Sequence, residues 1–220
     1  MKKVLSILLG LLGISFVILI HETGHFIMAR LFGVQTPVFS IGFGPELFSV
    51  TIASTQFQIA ALPLGGYVEI NNSQLMLEPY WVKMIIILAG IIINLLFAFL
   101  VVQWFKMRGI HYRAMLDQVY LPFKGRSFIG PIGIISMIST SATLGGNYYL
   151  LSLASLSFSI GIFNLLPVPF LDGGQMVRYT YEALQTSLPQ ESYGINPIVF
   201  ILLVLAALYL ILRVAVKRNR

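Results

Sequence analysis

Two histidines four residues apart, with a glutamate beside the first, form the segment His21-Glu22-Thr23-Gly24-His25. On an α-helix, positions i and i+4 share a face one turn apart, so both imidazoles can reach one metal ion. Zn²⁺ is the ion such a pair suits, with the neighbouring glutamate placed to take a proton from water. A zinc site that acts on water uses three protein ligands and keeps a fourth position open. The chain has no cysteine, so the third ligand must be His, Asp or Glu. The remaining histidine, His111, lies in a polar connection. Of the acidic residues, only Glu22 and Asp172 sit within or against apolar stretches. Glu22 projects away from the line joining the histidines and suits the role of base. Asp172 is therefore the first candidate for the third ligand, and Glu46 the second.

The setting of this segment is as informative as its spacing. It follows an apolar run from Val4 to Ile20. An ionisable residue in the middle of a membrane helix costs about 2.5–3.5 kcal/mol on insertion scales and usually marks function. Hydrophobic residues make up 57% of the 220 positions and charged residues 10%. Soluble domains run at about 45–50% and 25%. The composition predicts an all-α polytopic membrane protein in a lipid bilayer. The net charge of +6 gathers at the ends of segments: Lys2 and Lys3, Lys106 to Arg126, and Arg213 to Arg220. Flanking charge of that kind anchors membrane spans, so nucleic acid is not the expected partner. The apolar start lacks a small-residue cleavage site and reads as a retained first span.

Four spans are expected, at about residues 4–32, 81–105, 148–166 and 197–216. The stretch 33–80 is rich in Gly and Pro, and Gln56-Phe57-Gln58-Ile59 alternates polar with apolar. It predicts a re-entrant β-hairpin or small sheet, tolerated at membrane depth only beside protein or a wet cavity. In the second span, Gly90 suits close helix packing and Asn94 a hydrogen bond between helices. Residues 130–143 suit a helix lying against the bundle. The third span ends at Pro167 and Pro169, which break the helix, and Gly173-Gly174 then permit a tight turn. Asp172 falls in that break, and a short polar helix follows over about 176–186. No internal repeat or linker interrupts the chain, which reads as a single domain over 1–220.

Taken in order, five pieces resemble the site-2 protease family of intramembrane zinc metalloproteases. They are His21-Glu22-Thr23-Gly24-His25, Gly65-Gly66-Tyr67-Val68, Gly90-Ile91-Ile92-Ile93-Asn94, Gly130-Pro131-Ile132-Gly133-Ile134, and the stretch from Asn164 to Gly174, Asn-Leu-Leu-Pro-Val-Pro-Phe-Leu-Asp-Gly-Gly. The second and fourth are most similar to the bacterial regulator proteases that cleave anti-sigma factors. The resemblance implies one Zn²⁺ held by His21, His25 and Asp172, with Glu22 as general base and then proton donor to the leaving amine. It implies that Asn164, counted as two helical turns before Asp172, faces the oxyanion. Gly65, Gly66, Tyr67 and Asn94 are the candidate substrate-contacting residues. The strand edge around Gln56–Val68 is a place for an unwound substrate helix to add as a strand.

The implied activity is zinc-dependent endopeptidase cleavage within transmembrane segments of other proteins, in a multi-pass protein of a bacterial plasma or inner membrane. Two departures stand out. The bacterial regulators carry PDZ domains between the second and third spans, where this chain has only a short connection. Gln175 also stands where relatives often have His after Asp-Gly-Gly. Two other readings use the same residues: a metal-ion transporter, and a catalytically inactive relative that binds membrane helices. A transporter has no need of Glu22 beside the ligands, and an inactive relative no need of the intact set.

Overall fold

The computed structural model describes residues 2–120 and 130–187. The elements in chain order are α1 (Lys2–Leu31), β1 (Val38–Ile52), β2 (Thr55–Glu69), α2 (Asn72–Leu77), α3 (Tyr80–Met107), α4 (Tyr112–Tyr120), α5 (Pro131–Leu144), α6 (Gly146–Asn164) and α7 (Asp172–Ser187). The described residues are mostly helical, with one small sheet between the first two long helices.

Helices α1 and α3 arise from long, mainly apolar runs. Pro79 sits immediately before α3, where its missing N–H costs nothing, and Gly109, at φ +64°, follows its end. Val4–Leu31 and Tyr80–Met107 are long and apolar enough to cross a membrane. Each 28-residue stretch extends about 42 Å, more than the roughly 30 Å of hydrocarbon it would need to span. Their outward faces carry exposed Leu8, Leu12, Phe16, Ile92, Leu96 and Phe99. A continuous apolar surface of this kind is a liability in water and suits lipid.

The expected third span corresponds to α6, which is 19 residues long and carries four serines besides Asn and Tyr. Its inner side is buried, including Ser152 and Ser157 at 0% exposure. A helix packed among others need not be apolar all round, which is why α6 reads more polar than α1 and α3. The expected fourth span, at 197–216, lies outside the described residues.

Three apolar clusters hold the helices together. Val17 of α1, Met137 and Ile138 of α5, and Leu153 and Leu156 of α6 form one. Ala29 of α1, Val82 and Ile86 of α3, and Tyr179 of α7 form a second. Ala98, Val101 and Phe105 of α3 with Leu151 and Ala154 of α6 form a third. Helices α1, α3 and α6 thus make the frame, with α5 and α7 against it.

Strands β1 and β2 pair antiparallel around a two-residue turn, Ala53-Ser54. Both turn residues have positive φ, at +47° and +66°, as the right-handed twist of a tight hairpin demands. The strands bend back on themselves. Val38–Ile41 has Gln56–Ile59 on one side and Gly66–Glu69 on the other. Gly66–Glu69 therefore has a strand neighbour on one side only. Entry to and exit from the hairpin are clasped, since Asn71 N–H donates to the Gln35 carbonyl at 2.8 Å and Gln35 N–H to Gln74 Oε1 at 2.7 Å.

Three side chains of α1 hydrogen-bond the hairpin, of which Arg30 donates to the Ala53 carbonyl at its turn at 2.9 Å. Ser15 Oγ donates to the Pro63 carbonyl at 2.7 Å and accepts from Gly65 N–H at 3.2 Å. Seven residues further along α1, on the same face, Glu22 Oε2 accepts from Val68 N–H at 3.0 Å. These two side chains lay the last part of β2 along the helix that carries the histidines.

Candidate active site

His21 and His25 point to one spot because they share a helical face. Asp172 meets them there as the first residue of α7. The distances between the facing atoms are 3.0 Å from His21 Nε2 to Asp172 Oδ2, 3.4 Å from His25 Nε2 to the same oxygen, and 3.1 Å between the two nitrogens. Tetrahedral zinc bonds of about 2.0–2.1 Å place neighbouring ligand atoms about 3.3 Å apart. The triangle matches that spacing. All three residues are buried, at 6, 7 and 8% exposure, and among the described residues they form the cluster able to hold a metal ion. Asp172 Oδ2 is buried without a hydrogen-bond donor of good geometry, as an oxygen meant for a cation would be. Two neutral imidazoles and one carboxylate are a hydrolytic zinc donor set. Glu46, the second candidate, is elsewhere: its carboxylate takes hydrogen bonds from Ser49 and Gln56 on the exposed hairpin.

Helix α3 supports the pair from behind. His25 Nδ1 donates to the Ile86 carbonyl at 2.8 Å, which leaves Nε2 as a lone pair facing the cluster. A Cβ on Gly24 would overlap the backbone of Ala89 and Gly90, so α1 and α3 cross here at backbone contact. A Cβ on Gly90 would run into His25 Nε2 and lie 2.8 Å from His21 Cε1. The Gly-x-x-x-Asn piece is thereby explained: its glycine makes room for the rings, and its Asn94 stands beside His21, with Nδ2 3.3 Å from the ring Nδ1.

A cavity of 690 Å³ opens on the cluster, with His21, Glu22, His25, Asn164, Asp172 and Gln175 on its walls. Much of the remaining lining is apolar, including Ile18 of α1, Val68 of β2 and Phe163 of α6. Glu22 faces this space while its Oε2 is held by Val68 N–H.

Asn164 reaches the cavity by a different route from the one its spacing suggested. Helix α6 ends at Asn164 and α7 begins at Asp172, so the two residues flank a loop and do not sit two turns apart on one helix. Pro167 and Pro169 occupy that loop, and Leu171 N–H closes it onto the Val168 carbonyl at 2.9 Å. The Gly173-Gly174 pair packs against its carbonyls, where a Cβ on either residue would overlap. The polar helix accordingly starts at Asp172 and runs to Ser187, longer than the expected 176–186. Asn164 Nδ2 donates to the Ile160 carbonyl at 3.1 Å, leaving one amide proton for the cavity.

Gly65, Gly66, Tyr67 and Asn94, taken as substrate-contacting residues, do not line this cavity. Gly66 lies where a Cβ would overlap the Ser40 carbonyl and approach Leu19, so its small size serves strand and helix packing. Tyr67 faces the other side of the sheet, its ring stacked on Phe43 and its hydroxyl accepting from Gln58 at 3.2 Å. Asn94 is fully buried behind His21. The strand residue that reaches the cavity is Val68, whose amide also holds Glu22. Alternation along a strand could have singled it out, because Tyr67 and Val68 must face opposite ways.

Residues 9–207 match the profile of peptidase family M50. A protein of Borreliella burgdorferi described as a candidate zinc metalloprotease is 34% identical over 48% of this chain and 29% of its own length. A protein of Helicobacter pylori strain J99 with the same description is 35% identical over 54% of this chain and 36% of its own. A third, from Clostridium perfringens, is 43% identical over 31% of this chain and 20% of its own length. The chain therefore matches no more than about a third of the length of these relatives.

Proposed function

The chain belongs to peptidase family M50, and from that premise we propose that it is a zinc-dependent endopeptidase that cuts transmembrane segments of other membrane proteins within the bilayer. The observation that carries the reading is the convergence of His21 Nε2, His25 Nε2 and Asp172 Oδ2 at 3.0–3.4 Å on the wall of a cavity that also holds Glu22.

His21, His25 and Asp172 hold the metal. A Zn²⁺ ion bound there supplies Lewis acidity toward a peptide carbonyl and makes water a competent nucleophile near neutral pH. Glu22 takes the proton from the attacking water and returns it to the leaving amine. Val68 N–H fixes the carboxylate through one oxygen and leaves the other for that transfer. The free amide proton of Asn164, on the wall of the same cavity, is a donor for the developing oxyanion.

The substrate must present an unwound stretch, because a helix keeps its carbonyls in internal hydrogen bonds. Gly66–Glu69, paired on one side only, offers such a stretch a neighbouring strand beside Glu22. In this reading α1, α3 and α6 are three spans, and the hairpin dips into the membrane beside them. Exposed Phe43, Leu47, Phe48, Val50 and Ile52 on the hairpin suit that depth. The intact Glu22 beside the metal residues favours an enzyme over a metal transporter.

The test is cleavage of a co-expressed single-span substrate by the native chain and by Glu22→Gln. Cutting by the first and not by the second supports the reading. Equal cutting by both, or no cutting by zinc-loaded native protein across a panel of membrane helices, overturns it.

A further inference from the structure

Helix α3 meets the two histidines along a single stripe: Ile86, Gly90 and Asn94, each four residues from the next. Ile86 supplies its carbonyl to His25 Nδ1, and Gly90 supplies the space. Asn94 is the third member, and its side chain stands 3.3 Å from His21 Nδ1. We propose that Asn94 is a positioning residue for the metal: its carboxamide oxygen accepts the Nδ1 proton of His21, so that His21 presents Nε2 as a bare lone pair. The inference rests on the reading of His21 as a zinc ligand and adds a residue that the reading does not require.

Three observations lead there. A ring that binds metal through Nε2 carries its proton on Nδ1 and needs an acceptor. Asn94 is 0% exposed and its carboxamide stands against Nδ1, which makes it the acceptor at hand. With the amide nitrogen toward the ring, Asn94 Oδ1 is buried without a partner. A half-turn of the carboxamide exchanges the two atoms, brings Oδ1 to the ring N–H, and ends the isolation of that oxygen. Once Nδ1 is protonated, the amide nitrogen would set a donor against a donor, so the turned arrangement, which offers an acceptor there, is favoured.

The main chain at this turn is also fixed. Ser157 Oγ of α6 donates to the Asn94 carbonyl at 3.0 Å, which ties α6 to the turn of α3 that faces His21. A carboxamide further suits the charge of the site. Asp172 and Glu22 already bring two negative charges to balance one divalent cation. A third carboxylate would leave the buried cluster anionic, whereas Asn accepts a proton contact without adding charge.

Zinc affinity, measured by chelator competition on the full chain in detergent, tests this without substrate. Asn94→Leu removes the acceptor at similar volume and is expected to weaken zinc binding about 10–100-fold, the usual range for losing the partner of a metal-bound histidine. Asn94→Asp restores an acceptor and is expected to regain most of that loss, with a Co²⁺ absorption band resembling the native one. Native affinity in Asn94→Leu, or equally weak binding in both variants, overturns the proposal. If Asn94→Leu does not fold, ¹⁵N-histidine spectra of the native zinc-loaded chain decide: Nδ1 protonated on His21 supports it, and Nε2 protonated overturns it. A native chain that binds zinc in this way yet cuts no membrane helix would defeat the peptidase reading alone. Cleavage with unaltered zinc binding in Asn94→Leu would defeat only the role of Asn94.

Discussion

Glu22 and Val68, 46 residues apart, share a hydrogen bond of 3.0 Å from the strand amide to the carboxylate Oε2. The side chain proposed to move protons is thereby tied to the strand proposed to hold substrate. Glu22→Gln retains an acceptor for the amide and loses the basic oxygen. Cleavage is expected to fall by about 10²–10⁴-fold, with zinc content and unfolding temperature close to native. Purified protein assayed on a single-span reporter, with metal measured on the same sample, checks this. A fall in both activity and metal would assign Glu22 to structure.

His25→Ala and Asp172→Ala each leave two of the three converging atoms. Elemental analysis after dialysis should find about one zinc per native chain and far less in either variant. Retention of stoichiometric zinc by both would remove these residues from the metal site.

Gly24→Ala and Gly90→Ala both add one methyl at the crossing of α1 and α3, with different victims. At Gly24 the methyl meets the backbone of Ala89, which cannot yield without parting the helices. Thermal or denaturant unfolding should show a loss of about 1–3 kcal/mol. At Gly90 the methyl meets the two imidazoles, which can rotate away. Zinc affinity should drop there more than stability does, and the reverse order would contradict the packing described.

Ser15→Ala removes both the donor to Pro63 and the acceptor for Gly65. The expected effect is local. Amide exchange across residues 63–68 should accelerate, with a stability loss of about 1–3 kcal/mol and unchanged zinc content. Exchange rates equal to native would mean that β2 is held along α1 by packing alone.

The parts of the site that lie close in sequence were readable from it. His21 and His25 declare themselves through the i, i+4 spacing, and Glu22 through its adjacency. Asp172 could be selected because an acid against an apolar stretch is rare in a chain with few acids. The strand at Gln56–Ile59 followed from alternation. What could not be read depends on how helices cross. Gly90 and Asn94 lie about 70 residues beyond the histidines, and their relation to them exists only because α1 and α3 touch at Gly24. The pairing of Val68 with Glu22 depends on the doubled-back course of the hairpin, which alternation does not encode. Its turn, Ala53-Ser54, lacks the usual Asn or Gly and gives no local signal. A count of helical turns misplaces Asn164 relative to Asp172 because it holds only on one continuous helix, and Pro167 and Pro169 fill a loop between two.

The clasp between Gln35 and Asn71 brings the two ends of the hairpin within hydrogen-bond distance of each other. A segment whose ends meet can be exchanged as a cassette without altering the path of the helices on either side. Ser15, Glu22 and Arg30 each need a matching backbone group in the replacement. Chimaeras that trade residues 36–70 among relatives would therefore vary the strand edge offered to substrates while keeping one constant set of metal-binding side chains. On the proposed function, selectivity and chemistry would be separately heritable in this architecture.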